Sequence, residues 1–396
     1  MKDVLRTKYL DFLSEFKDDT DVIKVICGVR RCGKSTLMHQ FIERLKASGV
    51  DAKNIIFMNM ESAEFDDIKD QADLKKYFKE RIGKERTYVM LDEIQRVEKW
   101  EVAINSLAVD FDADIYITGS NAYLLSSELS TYLTGRYVSI NMLPLSFAEY
   151  TELHSDRGAD KYELFELYLK YGAFPMIDPF ESEMKVKVRI VDLYRSIVYR
   201  DIAFRDEIKN IAELERVTKF MMFNIGNPIS ANKIANSLGG IHRNTVENYL
   251  KLLEESYILY RADRYDIKST ALSPSSKYYS VDTGIRNAPL NYKNEDYGRL
   301  LENLVYLELV RRGDPVYVGK YGDSEVDFTV RTSDGYAYYQ VTRSMNDDHT
   351  SDRELRPLKA IRDNYPKTVI STDVLKADFE GGIKHIHIID FLMGKG

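Results

Sequence analysis

Gly28-Val29-Arg30-Arg31-Cys32-Gly33-Lys34-Ser35 fits G-x-x-x-x-G-K-[ST] at every fixed position, and Thr36 follows it. The chemistry explains the spacing. Glycines let backbone N–H groups wrap phosphate oxygens at a helix N-terminus, the Lys34 ammonium reaches the outer phosphates, and the Ser35 hydroxyl holds Mg²⁺. Residues 28–36 are therefore expected to cradle a nucleoside triphosphate. A second acidic site is needed, and Thr87-Tyr88-Val89-Met90-Leu91-Asp92-Glu93 is an apolar run ending in two carboxylates. There Asp92 suits the Mg²⁺ water shell and Glu93 suits polarising an attacking water. A third run, Asp114-Ile115-Tyr116-Ile117-Thr118, ends in Gly119-Ser120-Asn121. Its polar groups would reach a terminal phosphate or that water.

Such a cradle works only where a strand turns into a helix. An apolar run at 22–27 precedes the loop and a helical pattern at 35–48 follows it. Runs at 54–59, 87–91, 114–118 and 137–143 read as further strands, and 72–82 as another helix, which predicts a parallel α/β sheet. From 147 to about 259 the strand signal lapses into helical spacing, broken at Gly172-Ala173-Phe174-Pro175 and Gly226-Asn227-Pro228. Strands return at 277–281, 316–318, 326–330, 336–342, 368–371 and 385–389, around a long helix at 297–312, and predict a separate α/β domain.

Composition narrows the classes. With 396 residues, 44% of them hydrophobic, the chain can bury a core, so disorder is excluded as its main state. No run approaches the ~18 apolar residues of a membrane span. Two cysteines are too few for a disulfide framework, and the expected location is the cytoplasm, with Cys27 and Cys32 as small packing residues. With 56 Lys+Arg against 63 Asp+Glu, the net charge of −7 offers no global basic footprint for nucleic acid, so any DNA contact must be local.

The phosphate loop and Asp92-Glu93, together with Thr118-Gly119-Ser120-Asn121, Leu133-Thr134-Gly135-Arg136 and Leu143-Pro144-Leu145-Ser146-Phe147-Ala148-Glu149-Tyr150, resemble the prokaryotic AAA+-type P-loop ATPases that carry a C-terminal DUF4143 domain. Tyr171-Gly172-Ala173-Phe174-Pro175 and Tyr199-Arg200-Asp201-Ile202 are similar to that family's helical-lid signatures. The resemblance spans nearly the whole chain. It implies an additional-strand core with the sensor strand between the Walker A and Walker B strands, ATP and Mg²⁺ as ligands, and ATP hydrolysis that drives conformational change in the C-terminal domains. It also implies that Arg136 contacts nucleotide in cis or from a neighbouring subunit, beside Lys34, Glu93 and Asn121. The expected division is an ATPase core over 1–146, a helical lid over 147–220, a winged-helix-like segment over 221–270 and a nuclease-like domain over 271–396. Expected partners are ATP or ADP, DNA, and a protein partner or second copy, with no membrane.

Two further patterns lie downstream. Residues 230–238 and 241–253 read as two helices joined by Gly239-Gly240, a helix-turn-helix pattern, with a wing strand beginning at Tyr257. Bound to DNA, Arg243 and Asn244 would face the major groove and Lys251 a phosphate. Farther on, Glu302 on a helix, Asp327 on a strand and Gln340-Val341-Thr342 on the next resemble the PD-(D/E)xK nuclease order. Gln340 stands where a carboxylate belongs and Thr342 where a lysine belongs, so a restriction-endonuclease-like fold without cleavage activity is expected. Alternative readings are an ATP-regulated DNA-binding factor or nuclease, and a nucleotide-controlled signalling or defence scaffold.

Overall fold

The computed structural model describes residues 4–120, 135–204, 206–290, 292–346, 348–374, 378–379 and 381–395. They fall into two compact units, one of residues 1–144 with 255–257, the other of 145–254 with 258–396.

In the first unit five strands, β1 (Ile23–Cys27), β2 (Ile55–Asn59), β3 (Thr87–Asp92), β4 (Ala113–Gly119) and β5 (Tyr137–Asn141), make one sheet in the order β2-β3-β4-β1-β5. Every pairing is parallel. Strand β4 thus lies between the strand that feeds the phosphate loop and the strand that ends in Asp92, as the resemblance implies. Strands β1, β3 and β4 are buried along their whole length, because helices cover both faces of a parallel sheet and favour near-continuous apolar runs. The helix Lys34–Ala47 buries Leu37, Met38, Phe41, Ile42 and Leu45 at helical spacing, and the Phe41 ring lies 5.0 Å from that of Tyr116 on β4. One charge breaks the apolar run of β1. Lys24 is matched by Asp114 on β4 at 2.6 Å, with both side chains fully buried, and the Tyr116 hydroxyl donates to the same carboxylate.

The second unit begins with helices. Ser146 and Glu149 form a reciprocal capping box that starts the helix Phe147–Leu153, which gives the Leu-Pro-Leu-Ser-Phe segment a physical reading as a helix start signal. Asp160 and Glu163 do the same for Lys161–Tyr171. That helix ends at Gly172, whose φ of +80° suits glycine, and where a Cβ would stand 2.0 Å from Asp282 Oδ1. Asp282 caps the helix Thr283–Asn287 through Ile285 N and also accepts from Ala173 N at 2.6 Å. The Gly172-Ala173 signature is thus a seat for a buried carboxylate, which burial pushes up to about 6.

Beyond the helical middle, seven strands, β6 (Leu259–Asp266), β7 (Ala271–Ser280), β8 (Val316–Tyr321), β9 (Ser324–Thr332), β10 (Gly335–Val341), β11 (Lys367–Ser371) and β12 (Lys384–His387), form a mixed sheet in the order β12-β11-β10-β9-β8-β6-β7. The strand expected as a wing is β6, which pairs antiparallel with β7 and parallel with β8. Residue 270 therefore lies in a hairpin of one continuous sheet, which spans the junction expected between 221–270 and 271–396. The strand expected at 385–389 stops at His387, because the His387 ring accepts from Ile389 N and caps a short helix, Ile388–Leu392. Among the described residues no helix is long and apolar enough to cross a membrane.

Candidate functional site

The C-terminal ends of β1 and β3 bring the phosphate loop and the paired acids together. Gly28 leaves β1 with φ +149°, and a Cβ there would stand 2.3 Å from the Met142 carbonyl oxygen, so only glycine fits. Gly33, at φ +112°, turns the chain into the helix that starts at Lys34. Val29 and Cys32 are buried, Arg30 is half-buried, and Arg31 and Thr36 are exposed. Both thiols are free and buried. Desolvation raises Cys32 and pushes Cys27 up to about 12, which keeps them protonated and suits packing rather than redox chemistry.

The Lys34 ammonium donates to the Gly28 and Val29 carbonyls at 3.0 and 3.3 Å and lies 3.6 Å from Glu93 Oε1. Burial pulls its pKa down, but nearby groups, among them Glu93 and Asp92, outweigh that and hold it above the ordinary lysine value. Glu93 takes a left-handed conformation at φ +55°, which turns its side chain off the end of β3. Its backbone N–H donates to Thr118 Oγ1 at 3.0 Å, and its carboxylate accepts from the Gln95 amide. The Thr118 hydroxyl in turn donates to Asp92 Oδ1 at 2.5 Å, so one side chain of β4 fixes both acids at the end of β3.

The two acids are tuned apart. Burial raises the Asp92 carboxyl, with partial relief from the Ser35 and Thr118 hydroxyls. Glu93 is buried too, but Lys34 and Gln95 prevail and hold it below its ordinary value. Asp92 Oδ2 is buried without a hydrogen-bond partner, and Ser35 stands beside the same carboxylate. An orphaned carboxylate oxygen next to a hydroxyl fits a hard divalent cation, which takes one or two protein ligands and fills its shell with phosphate and water.

Sequence reasoning missed Arg6. It is buried, and its guanidinium donates to the Cys32 carbonyl at 3.2 Å and the Leu143 carbonyl at 2.7 Å, which ties the phosphate loop to the segment after β5. A lone arginine ahead of the first helix belongs to no motif, so no sequence signal marks it. Thr118 carries a signal in the sequence, a hydroxyl that closes an apolar strand. Arg136 is exposed immediately before β5, and its carbonyl accepts from Ile23 N. Asn121 lies outside the described residues.

Arg243, Asn244 and Lys251 are exposed on the helix Arg243–Glu255, whose opposite face buries Val246, Tyr249, Leu250 and Leu253. Arg243 pairs with Glu247 at 2.8 Å. Against the C-terminal sheet, Glu302 of the helix Tyr297–Arg312, Asp327 of β9 and Gln340 of β10 line one cleft of about 650 Å³. Lys277 of β7 lies behind it, 2.9 Å from Glu302 and 2.8 Å from Glu325, and Tyr279 donates to Glu302 at 2.7 Å. Asp327 accepts from Val341 N at 2.8 Å, while the Gln340 amide donates to Glu354 at 2.8 Å. Burial, and then the Glu302 carboxylate, push Asp327 well above the ordinary value.

Comparison with known proteins agrees with the fold of the first unit. A family model described as an AAA domain matches residues 20–151, and a domain of unknown function, DUF8612, matches 162–296; the DUF4143 label that the resemblance implies for 271–396 is not shown. An uncharacterized protein of Haemophilus influenzae is 39% identical over 98% of each chain, and one of Methanocaldococcus jannaschii is 31% identical over 88% of this chain and 81% of its own. Among solved structures, the Aeropyrum pernix Orc1 protein in complex with DNA covers 73% of this chain and 92% of its own at 12% identity, with a TM-score of 0.31, too loose a likeness to argue from. With 39% identity along 98% of both chains and the phosphate loop seated at the end of β1, the protein belongs to the family of the Haemophilus influenzae protein, and its first unit is an AAA-type nucleotide-binding domain.

Proposed function

We propose that this protein is a Mg²⁺-dependent ATPase that converts nucleotide state into conformational change of its C-terminal part. The observation that carries this reading is the convergence of Lys34, Asp92 and Glu93 at the C-terminal ends of β1 and β3, with Thr118 of the intervening β4 fixing both acids. Residues 28–36 hold the phosphates through backbone N–H groups, and Lys34, charged throughout the neutral range, neutralises the outer ones. Ser35 and Asp92 hold the cation, which when bound withdraws charge from the phosphate oxygens. Glu93, kept ionised and turned toward the loop, orients water and accepts its proton. Exposed Arg136 fits a charge-stabilising arginine that acts on nucleotide in cis or from a second copy, and Asn121 a polar partner for the water. The exposed Arg243, Asn244 and Lys251 face supports DNA as a partner through local contacts alone.

The test is ATP turnover with Mg²⁺ by the wild-type protein, Lys34→Ala and Glu93→Gln. Lys34→Ala is expected to lose nucleotide binding. Glu93→Gln should keep binding while turnover falls on the order of 10²- to 10⁴-fold, the usual worth of a positioned general base. Equal turnover by all three would overturn the reading.

A further inference from the structure

Arg6 belongs to no motif of the chain, yet it is only 3% exposed and both arms of its guanidinium fork end on backbone carbonyls of the first unit. Nη1 donates to the Cys32 carbonyl at 3.2 Å and Nη2 to the Leu143 carbonyl at 2.7 Å. Cys32 precedes Gly33 in the phosphate loop, and the peptide between them is trans. In a trans peptide the C=O and the N–H point in opposite directions within one plane. A Cys32 carbonyl held against Arg6 therefore turns the Gly33 N–H away from Arg6. Gly33 caps the helix Lys34–Ala47, and the N–H groups at a helix start have no partner within the helix and suit an anion.

The arginine is itself held from two sides. Its backbone N–H donates to Gln40 Oε1 at 3.3 Å, and the Gln40 amide donates to the Val4 carbonyl at 2.8 Å, which bonds this segment in both directions to the helix that the loop opens. Beside it the Tyr9 hydroxyl accepts from Leu143 N at 3.1 Å, and the guanidinium lies 4.9 Å from the centre of the Tyr9 ring. Met142, next to Leu143, backs both glycines of the loop: a Cβ on Gly28 would stand 2.3 Å from its carbonyl oxygen, and one on Gly33 would stand 3.3 Å from its Cε. Residues 4–9 thus brace the phosphate loop through the helix that follows it and through 142–143, all within the first unit. Two bonds from a rigid fork fix an orientation, whereas the compact ammonium of a lysine on its flexible stem does not.

We propose that Arg6 is a positioning residue for triphosphate binding, whose fork sets the Cys32–Gly33 peptide so that the Gly33 N–H faces the phosphate chain before nucleotide arrives. This rests on the reading of residues 28–36 as a phosphate cradle. The gain is pre-organisation, because a loop already in its binding conformation does not have to be ordered by the ligand. What the device serves is the phosphate chain alone, independent of base and sugar.

The experiment uses the full chain with ¹³C at the cysteine carbonyls and ¹⁵N at the glycines. Because each of the two cysteines precedes a glycine, an amide–carbonyl correlation spectrum holds two cross peaks, Cys27–Gly28 and Cys32–Gly33. In the nucleotide-free protein, Arg6→Ala and Arg6→Lys should both move the Cys32–Gly33 peak further than the Cys27–Gly28 peak. Calorimetric Kd values of Arg6→Ala for ATP and for inorganic tripolyphosphate, each with Mg²⁺, should rise together by on the order of 10- to 100-fold, as for the loss of a hydrogen bond made by a charged group. Arg6→Lys should recover only part of that affinity. Gln40→Ala, at a half-buried position, should give a smaller shift of the same peak and a smaller rise in Kd, which keeps the test independent of whether Arg6→Ala folds. An unmoved Cys32–Gly33 peak, unchanged Kd values in Arg6→Ala, or wild-type affinity in Arg6→Lys overturns the proposal. Failure of the wild type to bind either phosphate chain overturns the cradle reading, and this proposal with it, and the wild-type measurement alone tells that case apart.

Discussion

Burial raises the Asp92 carboxyl, and the same burial acts on Glu93, where Lys34 at 3.6 Å and Gln95 reverse its effect. Paired acids pushed in opposite directions suit the two roles proposed for them, a cation ligand at Asp92 and a base at Glu93. A pH dependence follows. A depressed carboxylate stays charged below its ordinary pKa of 4.5, so the activity and stability it contributes are fully present above that value and are lost only as pH falls through the lower native one. The pH profile of kcat/KM for ATP should therefore show no acid limb from Glu93 above pH 4.5. A limb near neutrality that disappears in Glu93→Gln would contradict this assignment.

Elements are held in register by a few polar devices inside an otherwise apolar sheet. Lys24 on β1 and Asp114 on β4 meet at 2.6 Å with no exposure, and Tyr116 and the Asp18 backbone also bond to that carboxylate. Removing one member of such a pair strands a charge in the core. Asp114→Ala is expected to destabilise the protein by about 3–5 kcal/mol, and the double variant Lys24→Met/Asp114→Leu by less than the single one, in denaturant titrations. Equal losses in both would mean that packing volume rather than charge dominates there. The Ser146–Glu149 box and the Gly172–Asp282 seat are devices of the same kind in the second unit: a helix start and a helix end, each fixed by a carboxylate.

Each of the two units carries its own buried core, and the phosphate loop and paired acids belong wholly to the first. A ligand that binds one folded unit stabilises that unit through mass action, by about 2.7 kcal/mol at a concentration 100 times its Kd. Calorimetry is expected to show two transitions, of which a non-hydrolysable ATP analogue with Mg²⁺ raises one and leaves the other in place. A single transition that shifts as a whole would show instead that the units unfold as one.

The phosphate loop, the strand that delivers Asp92 and Glu93, and the helices at 34–47, 71–81 and 297–312 were legible in the residues themselves, because each depends on local periodicity and on backbone freedom at fixed glycines. Strand order was not, and neither were Arg6 on the loop, Thr118 bridging the two acids, the joining of β6 to the C-terminal sheet, and the meeting of Gln340 with Glu354 and of Lys277 with Glu302. Those depend on contacts between residues far apart in the chain. Sequence alone settled that this chain builds a nucleotide cradle, because the cradle's physics lies within eight consecutive residues. Only the tertiary structure decided what surrounds it and which acids and bases share the second cleft, because charge acts through space and is indifferent to sequence order.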